Sequence, residues 1–149
     1  MKRVRCVAYG LLAGAAAYAA SAQALEFRAV GDSAAVLYDA PSAKANKLYV
    51  VNQGYPLEVL VQVEGWTKVR DASGGLAWIE NKELTDKRTV MVKVPLAQIR
   101  QSAEDNAPVV FQAQQNVILE LVTSAGAWLQ VRHEDGASGY IKASDVWGS

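Results

Sequence analysis

The stretch Gly65-Trp66-Thr67-Lys68-Val69-Arg70-Asp71-Ala72-Ser73-Gly74-Gly75-Leu76-Ala77-Trp78-Ile79 occurs twice, and this duplication constrains the fold more than any other feature of the chain. Its second copy starts 62 residues later, as Ala127-Trp128-Leu129-Gln130-Val131-Arg132-His133-Glu134-Asp135-Gly136-Ala137-Ser138-Gly139-Tyr140-Ile141. Each copy reads as a strand opened by Trp, a polar turn holding Gly, and a second strand ending in aromatic-Ile, which is the pattern of a β-hairpin. Sliding the chain by 62 aligns residues 34–84 with 96–146 without a gap and gives ten identities in 51 pairs. Average residue usage predicts roughly three or four. The shared residues include Leu57/Leu119, Glu58/Glu120, Trp66/Trp128, Val69/Val131, Arg70/Arg132, Gly74/Gly136 and Ile79/Ile141. Equal spacing of this kind implies one small fold built twice.

The rest of each copy carries strand signals. In the first, residues 27–30 and 34–38 are short apolar runs separated by Gly31-Asp32-Ser33, and residues 39–47, with Pro41, Ser42 and Asn46, form a loop. Residues 48–51 make another strand before the turn Asn52-Gln53-Gly54. Leu57, Val59, Val61 and Val63 then alternate with Glu58, Leu60 and Gln62, a strand of period two. Residues 81–84 allow at most one 3₁₀ turn. The second copy repeats the order at 90–94, 96–99, 109–111, 117–122, 128–132 and 138–141. Short strands with tight turns over about 60 residues are too few for a two-sheet sandwich, but they can close a small barrel that removes most exposed edges. Domains this small bury only about 60% of their chain surface, which favours a packed pair over two independent units. The connection Thr85-Asp86-Lys87-Arg88-Thr89 is short and charged, so the units stay adjacent with room for a hinge.

Residues 1–24 have the three-part layout of a secretory signal peptide. Lys2, Arg3 and Arg5 precede an apolar run of 14 residues over 7–20, and small residues offer cleavage after Ala22 or Ala24. The run is well short of the roughly 20 residues a spanning helix needs. The expected organisation is therefore a signal peptide over 1–24 and two domains over 25–86 and 87–149, in a periplasmic or secreted protein with no membrane span in its mature chain. Cys6, the only cysteine, leaves with the signal, so stability must come from packing without disulfides. Loss of three basic residues changes 15 Lys+Arg against 15 Asp+Glu to 12 against 15, a mildly acidic balance of −3. Interspersed charge of this sign offers no footprint for nucleic acid or anionic lipid.

At this point the residues meet a known family. The first copy carries Val36-Leu37-Tyr38-Asp39-Ala40-Pro41-Ser42, Gly54-Tyr55-Pro56-Leu57-Glu58-Val59-Leu60, Glu64-Gly65-Trp66-Thr67-Lys68-Val69-Arg70-Asp71, Gly74 and Ala77-Trp78-Ile79. The second carries Ile99-Arg100, Leu119-Glu120-Leu121, Trp128-Leu129-Gln130-Val131-Arg132, Gly136 and Gly139-Tyr140-Ile141, but has Asn116-Val117-Ile118 where the first has Gly54-Tyr55-Pro56. In these segments each copy resembles the bacterial SH3-like domain of cell-envelope and secreted proteins. The resemblance implies an all-β fold of two tandem small SH3-like barrels. It also implies a non-catalytic module, of a kind often attached to wall-cleaving enzymes, that holds peptides, peptidoglycan stems or partner proteins.

Chemistry by the chain itself has little support. His133, the only histidine, falls in a hairpin turn without the buried acid and hydroxyl that a Ser-His-Asp arrangement requires. Glu134-Asp135 and Glu104-Asp105 fall in loops where no burial would split their acidities. One histidine and scattered acids make no metal constellation, and no cofactor is implied. The chain is expected not to be an enzyme.

The remaining candidates are aromatic: Tyr38, Trp66, Trp78, Trp128 and Tyr140. Rings lining a shallow groove supply contact area with little rotamer entropy, which suits them to extended ligands. Trp66 and Trp128 resemble the groove tryptophan of eukaryotic SH3 domains, and Tyr38 resembles that fold's loop tyrosine. Glu80 and Glu83, and Lys142 and Asp145 in the second copy, stand where a proline-reading pocket would require Pro and Tyr. The same rings could instead pack within or between barrels, Arg70 and Arg132 could bridge Glu58 and Glu120 across a strand pair, and Trp147 could cap the second barrel. Two functions follow: a binding module whose aromatic grooves hold a cell-wall peptide or an extended protein segment, or a structural subunit that docks an envelope protein without a groove ligand.

Overall fold

A computed structural model of the chain describes residues 24–149. Cys6 and all of the expected signal peptide except Ala24 lie outside the described residues.

The first half contains β1 (Phe27–Val30), β2 (Ala35–Tyr38), β3 (Lys47–Val51), β4 (Pro56–Val63), β5 (Trp66–Arg70), β6 (Leu76–Glu80), a 3₁₀ turn (Asn81–Glu83) and β7 (Leu84–Thr85). The second contains β8 (Thr89–Val92), β9 (Leu96–Arg100), β10 (Val109–Gln114), β11 (Ile118–Ala125), β12 (Trp128–Arg132), β13 (Ser138–Lys142), a 3₁₀ turn (Ala143–Asp145) and β14 (Val146–Trp147). Each half is one antiparallel sheet, ordered β3-β2-β6-β5-β4-β1-β7 and β10-β9-β13-β12-β11-β8-β14, so the fold is all-β and the two topologies coincide element by element. β7 and β14 are two-residue strands too short for any sequence period to reveal.

The coincidence extends to the cores. Ala35, Leu37, Val51, Leu57, Val69 and Ile79 are buried in the first, and Ala97, Ile99, Ala113, Leu119, Val131 and Ile141 hold the same repeat positions in the second. Each half thus closes its own apolar cluster. Backbone needs also recur: Gly54 has φ 75 and its counterpart Asn116 has φ 72. Asparagine tolerates this left-handed region better than most side chains, which explains why it can replace glycine there.

One expectation needs correction. The sequence pattern places Leu57, Val59, Val61 and Val63 on one face, but a β-bulge between Val59 and Val61 shifts the register against β5. Glu58 pairs with Arg70 and Val59 with Val69, whereas Val61 pairs with Lys68 and Val63 with Trp66. The extra residue reverses the pleat, so the last two valines turn from the core side to the outer side. The same bulge lies between Leu121 and Thr123 in the second half.

The halves meet along β1 and β4 on one side and β8 and β14 on the other. The Thr89 hydroxyl donates to the Gly54 carbonyl at 2.6 Å, and the Trp147 indole N–H donates to the Pro56 carbonyl at 3.0 Å. The Trp147 ring stands edge-on to Phe27, with centroids 5.1 Å apart and planes at 89°, and the Arg88 guanidinium lies 6.0 Å from the Phe27 ring centre. Trp147 belongs to the second sheet through its pairing with Met91, but its ring packs on the first barrel, so it bridges the two and does not cap its own.

Candidate functional site

In β5, Thr67 and Val69 are buried, which turns Trp66, Lys68 and Arg70 to the outer face of the sheet. In β6, Ala77 and Ile79 are buried, which turns Leu76, Trp78 and Glu80 outward. Direct cross-strand pairing then sets Val61, Lys68, Trp78 and Tyr38 in one row across β4, β5, β6 and β2, and Val63, Trp66 and Glu80 in the next. Residues paired in this way share a face and touch. Val61, Val63 and Leu76 are 48%, 42% and 50% exposed, large values for apolar side chains in strands. Three of the five aromatic candidates, Tyr38, Trp66 and Trp78, therefore converge on one surface. Tyr38 is itself only 8% exposed, and its ring meets Trp66 edge-on at 5.2 Å and 90°. It props the half-buried Trp66 from beneath. The other residues of the face, Val61, Val63, Lys68 and Leu76, are not among the sequence candidates, because only the bulge and the register bring them there.

The equivalent face of the second barrel has a different chemistry. Where the first has Val61, Val63, Leu76, Tyr38 and Lys68, the second has Thr123, Ala125, Ser138, Arg100 and Gln130. Tyr140 pairs with Gln130 and with Arg100, and Trp128 pairs with Lys142. These groups are engaged internally. Arg100 donates to the Ala107 carbonyl at 2.8 Å and to Gln98 Oε1 at 2.6 Å, while Lys142 Nζ lies 2.7 Å from Asp105 and 5.8 Å from the Trp128 ring centre. The Lys142 ammonium holds the Asp105 carboxyl below the usual carboxylate range. Trp128 thus lies beside the Lys142–Asp105 salt bridge, and Tyr140 beside Arg100, whose other partner in the row is Val109, 43% exposed.

The conserved-by-repeat arginines act within the strands. Arg70 Nη1 lies 2.8 Å from Glu58 Oε2, and Arg132 lies 3.8 Å from Glu120. The Glu58 side chain is only 6% exposed, whereas that of Glu120 is 57% exposed, so only the first pair is a partner requirement. Beside it, Asp71 is buried and accepts hydrogen bonds from the Tyr49 hydroxyl, the Ser73 N–H at 2.8 Å, the Ser73 hydroxyl at 2.5 Å and the Gly75 N–H at 2.9 Å. Burial by itself would raise its pKa, but the donors from Ser73, Tyr49 and Gly75 outweigh it and hold the carboxyl below its ordinary value. Burial, with the Asp71 carboxylate second, pushes the Tyr49 phenol well up. In the second barrel both partners change: His133 replaces Asp71, Phe111 replaces Tyr49, and the two rings pack at 6.2 Å. His133 Nδ1 lies 3.1 Å from Asp135, an exposed carboxylate in the same turn, so the histidine sits in a local turn interaction.

Among the described residues, no group of three or more His, Cys, Asp and Glu side chains could hold a metal ion, and no helix is long and apolar enough to cross a membrane. An open cleft of about 410 Å³ lies at the seam between the barrels, lined by Gly31, Gly54, Arg88, Glu120 and Arg132 among others. Its charges are mixed in sign.

With two sheets of one topology and a repeated Trp-hairpin, the chain belongs to the bacterial SH3 domain family, whose model matches residues 31–86 and 93–148. It carries two tandem copies of this binding domain. No curated protein matches the chain significantly. Among solved structures it is similar to NlpC2 from Trichomonas vaginalis at 15% identity (TM-score 0.39), covering 87% of this chain and 50% of that one. NlpC1 from the same organism matches at 16% identity (TM-score 0.39), covering 94% and 51%. An NlpC/P60 family protein from Bacillus cereus matches at 17% identity (TM-score 0.38), covering 83% and 57%. The chain thus spans 50 to 57% of the length of these structures.

Proposed function

We propose that the chain is an exported, non-catalytic binding module of the bacterial cell envelope. The outer face of its first barrel holds an extended peptide, with the peptidoglycan stem peptide as the ligand class. The observation that carries this reading is the divergence of two otherwise matching sheets. Core positions stay apolar in both copies, but the outer positions are Val61, Val63, Leu76, Trp66 and Trp78 in one and Thr123, Ala125, Ser138, Trp128 and Tyr140 in the other. The exposed Val61, Val63 and Leu76 beside Trp66 and Trp78 support a contact surface on the first copy; the second has polar or small residues at those three positions and a single exposed apolar side chain, Val109, at the end of the matching row. The basic, apolar, small-residue order of residues 1–24 supports delivery outside the cytoplasm.

A second reading, a structural subunit that docks an envelope protein without a groove ligand, draws on Trp147 and Phe27, which pack barrel on barrel. Co-sedimentation of the protein lacking residues 1–24 with purified sacculi separates the two. Wild type sediments with the wall, and Trp66→Ala, verified as folded by circular dichroism, stays in the supernatant. Equal sedimentation of both proteins overturns wall binding through this face, and failure of Trp66→Ala to fold favours the structural role.

A further inference from the structure

Resting on that reading, we infer that Lys68 is the specificity residue of the first barrel's outer face, and that it selects a stem peptide through a carboxylate. Three observations lead there. First, Lys68 stands inside the row between Val61 and Trp78, so its ammonium emerges from an apolar and aromatic surround. Second, among the described residues two neighbouring outward cations are already neutralised, Arg70 by Glu58 at 2.8 Å and Lys82 by Glu80 at 3.1 Å, whereas Lys68 makes no ion pair or side-chain hydrogen bond; Lys47, beyond Tyr38 at the end of the row, makes none either, but only Lys68 stands between the apolar and aromatic side chains. Third, the second barrel carries Gln130 at this position, where it accepts a long hydrogen bond from Thr123 at 3.4 Å. The charge at this register is thus present on the apolar copy of the face and replaced by an amide on the polar one, whose own cation in the row, Arg100, is held by the Ala107 carbonyl and Gln98. An ammonium held beside a ring and short of water contacts attracts an anion more strongly than one in bulk solvent.

The dimensions suit a short peptide. Four strands at about 4.8 Å spacing make the row from Val61 to Tyr38 about 14 Å wide, the reach of about four extended residues. A peptide crossing the strands would lay apolar side chains on Val61 and Trp78 and bring a carboxylate to Lys68 between them.

The test measures binding of a synthetic stem tetrapeptide with free carboxylates, and of its fully amidated counterpart, by tryptophan fluorescence and calorimetry. The variants are Lys68→Gln and Trp78→Ala, each checked for fold by circular dichroism. Lys68→Gln introduces the residue that the second barrel already accommodates at the same register. Wild type is expected to prefer the free-carboxylate peptide about tenfold, and Lys68→Gln to bind both peptides alike at the amidated peptide's affinity. Equal binding of the two peptides by wild type, or an undiminished preference in Lys68→Gln, overturns the role of Lys68 while leaving the face as the binding site. Binding unchanged in Trp78→Ala, or no binding of either peptide to wild type, overturns the face itself and the inference with it.

Discussion

Replacing Asp71 by asparagine isolates what its negative charge contributes to the first barrel. The carboxylate is 4% exposed and accepts four hydrogen bonds, three on Oδ1 from Ser73 and Gly75 and one on Oδ2 from Tyr49. Asparagine keeps an oxygen for the first three but presents an NH₂ group to the Tyr49 hydroxyl, which must then turn and accept. Bonds to a charged acceptor contribute about 1.5–3 kcal/mol against about 1 for neutral ones, so the exchange is expected to cost the barrel about 1–2 kcal/mol at neutral pH. The folded pKa of Asp71 lies below its ordinary 3.8, so its stabilisation is complete above 3.8 and lost as pH falls through the folded value. The gap between wild type and Asp71→Asn should therefore be full at neutral pH and close at the acid end. Urea titration followed by the amide signals of Val69 and Ile79 reads the first barrel, and Val131 and Ile141 serve as the control in the second. A gap that persists undiminished in acid, or equal stabilities at neutral pH, would refute the reasoning.

Other perturbations use one copy as the control for the other. Arg70→Ala strands the buried Glu58 and is expected to destabilise its barrel by about 3 kcal/mol, whereas Arg132→Ala, beside the exposed Glu120, costs under about 1; the same amide signals in urea decide between them. Gly139→Ala installs the residue that the first copy has at Ala77, but the added Cβ would lie 2.6 Å from Ile99 Cγ2 and from the Arg100 carbonyl. It should lower second-barrel stability by about 1–3 kcal/mol, read by thermal unfolding. Trp147→Phe removes the hydrogen bond to the Pro56 carbonyl and should let the barrels reorient. Residual dipolar couplings that still fit one common alignment would rule this out.

The architecture was legible because its signals are local. Trp66 and Trp128 open strands at one spacing, Gly74 and Gly136 have φ 88 and 92 in the hairpin turns, and apolar residues at Val69/Val131 and Ile79/Ile141 mark the inner faces. Pairing logic also offered Glu58 as one partner for Arg70, and the two lie 2.8 Å apart. The proposed binding face was only half legible. Its rings stand out in the sequence, but Val61 and Val63 continue the period of Leu57 and Val59, and a bulge leaves that period intact along the chain while reversing it in space. Lys68 is indistinguishable from any strand lysine until its row is known. Trp147 shows a further limit, since its partner Pro56 is 91 residues away and no local pattern encodes a contact between domains.

Duplication explains why these departures carry information about function. Two copies under one folding requirement keep whatever the barrel needs: the buried aliphatics, the left-handed turn residue and the bulge recur at fixed spacing. One structural pair changes on both sides, Tyr49 and Asp71 giving way together to Phe111 and His133. The outer face follows neither pattern. Val61, Val63, Leu76 and the unpaired Lys68 occur in the first copy, whereas the second has Thr123, Ala125, Ser138 and Gln130 at those positions and ties its cations to the β9–β10 loop, Arg100 to the Ala107 carbonyl and Lys142 to Asp105. Engaged cations on this face of the second copy and more exposed apolar side chains on that of the first are what the proposed support and contact roles would respectively display. The seam through Trp147 and Phe27 joins the first barrel, which carries this face, to the second.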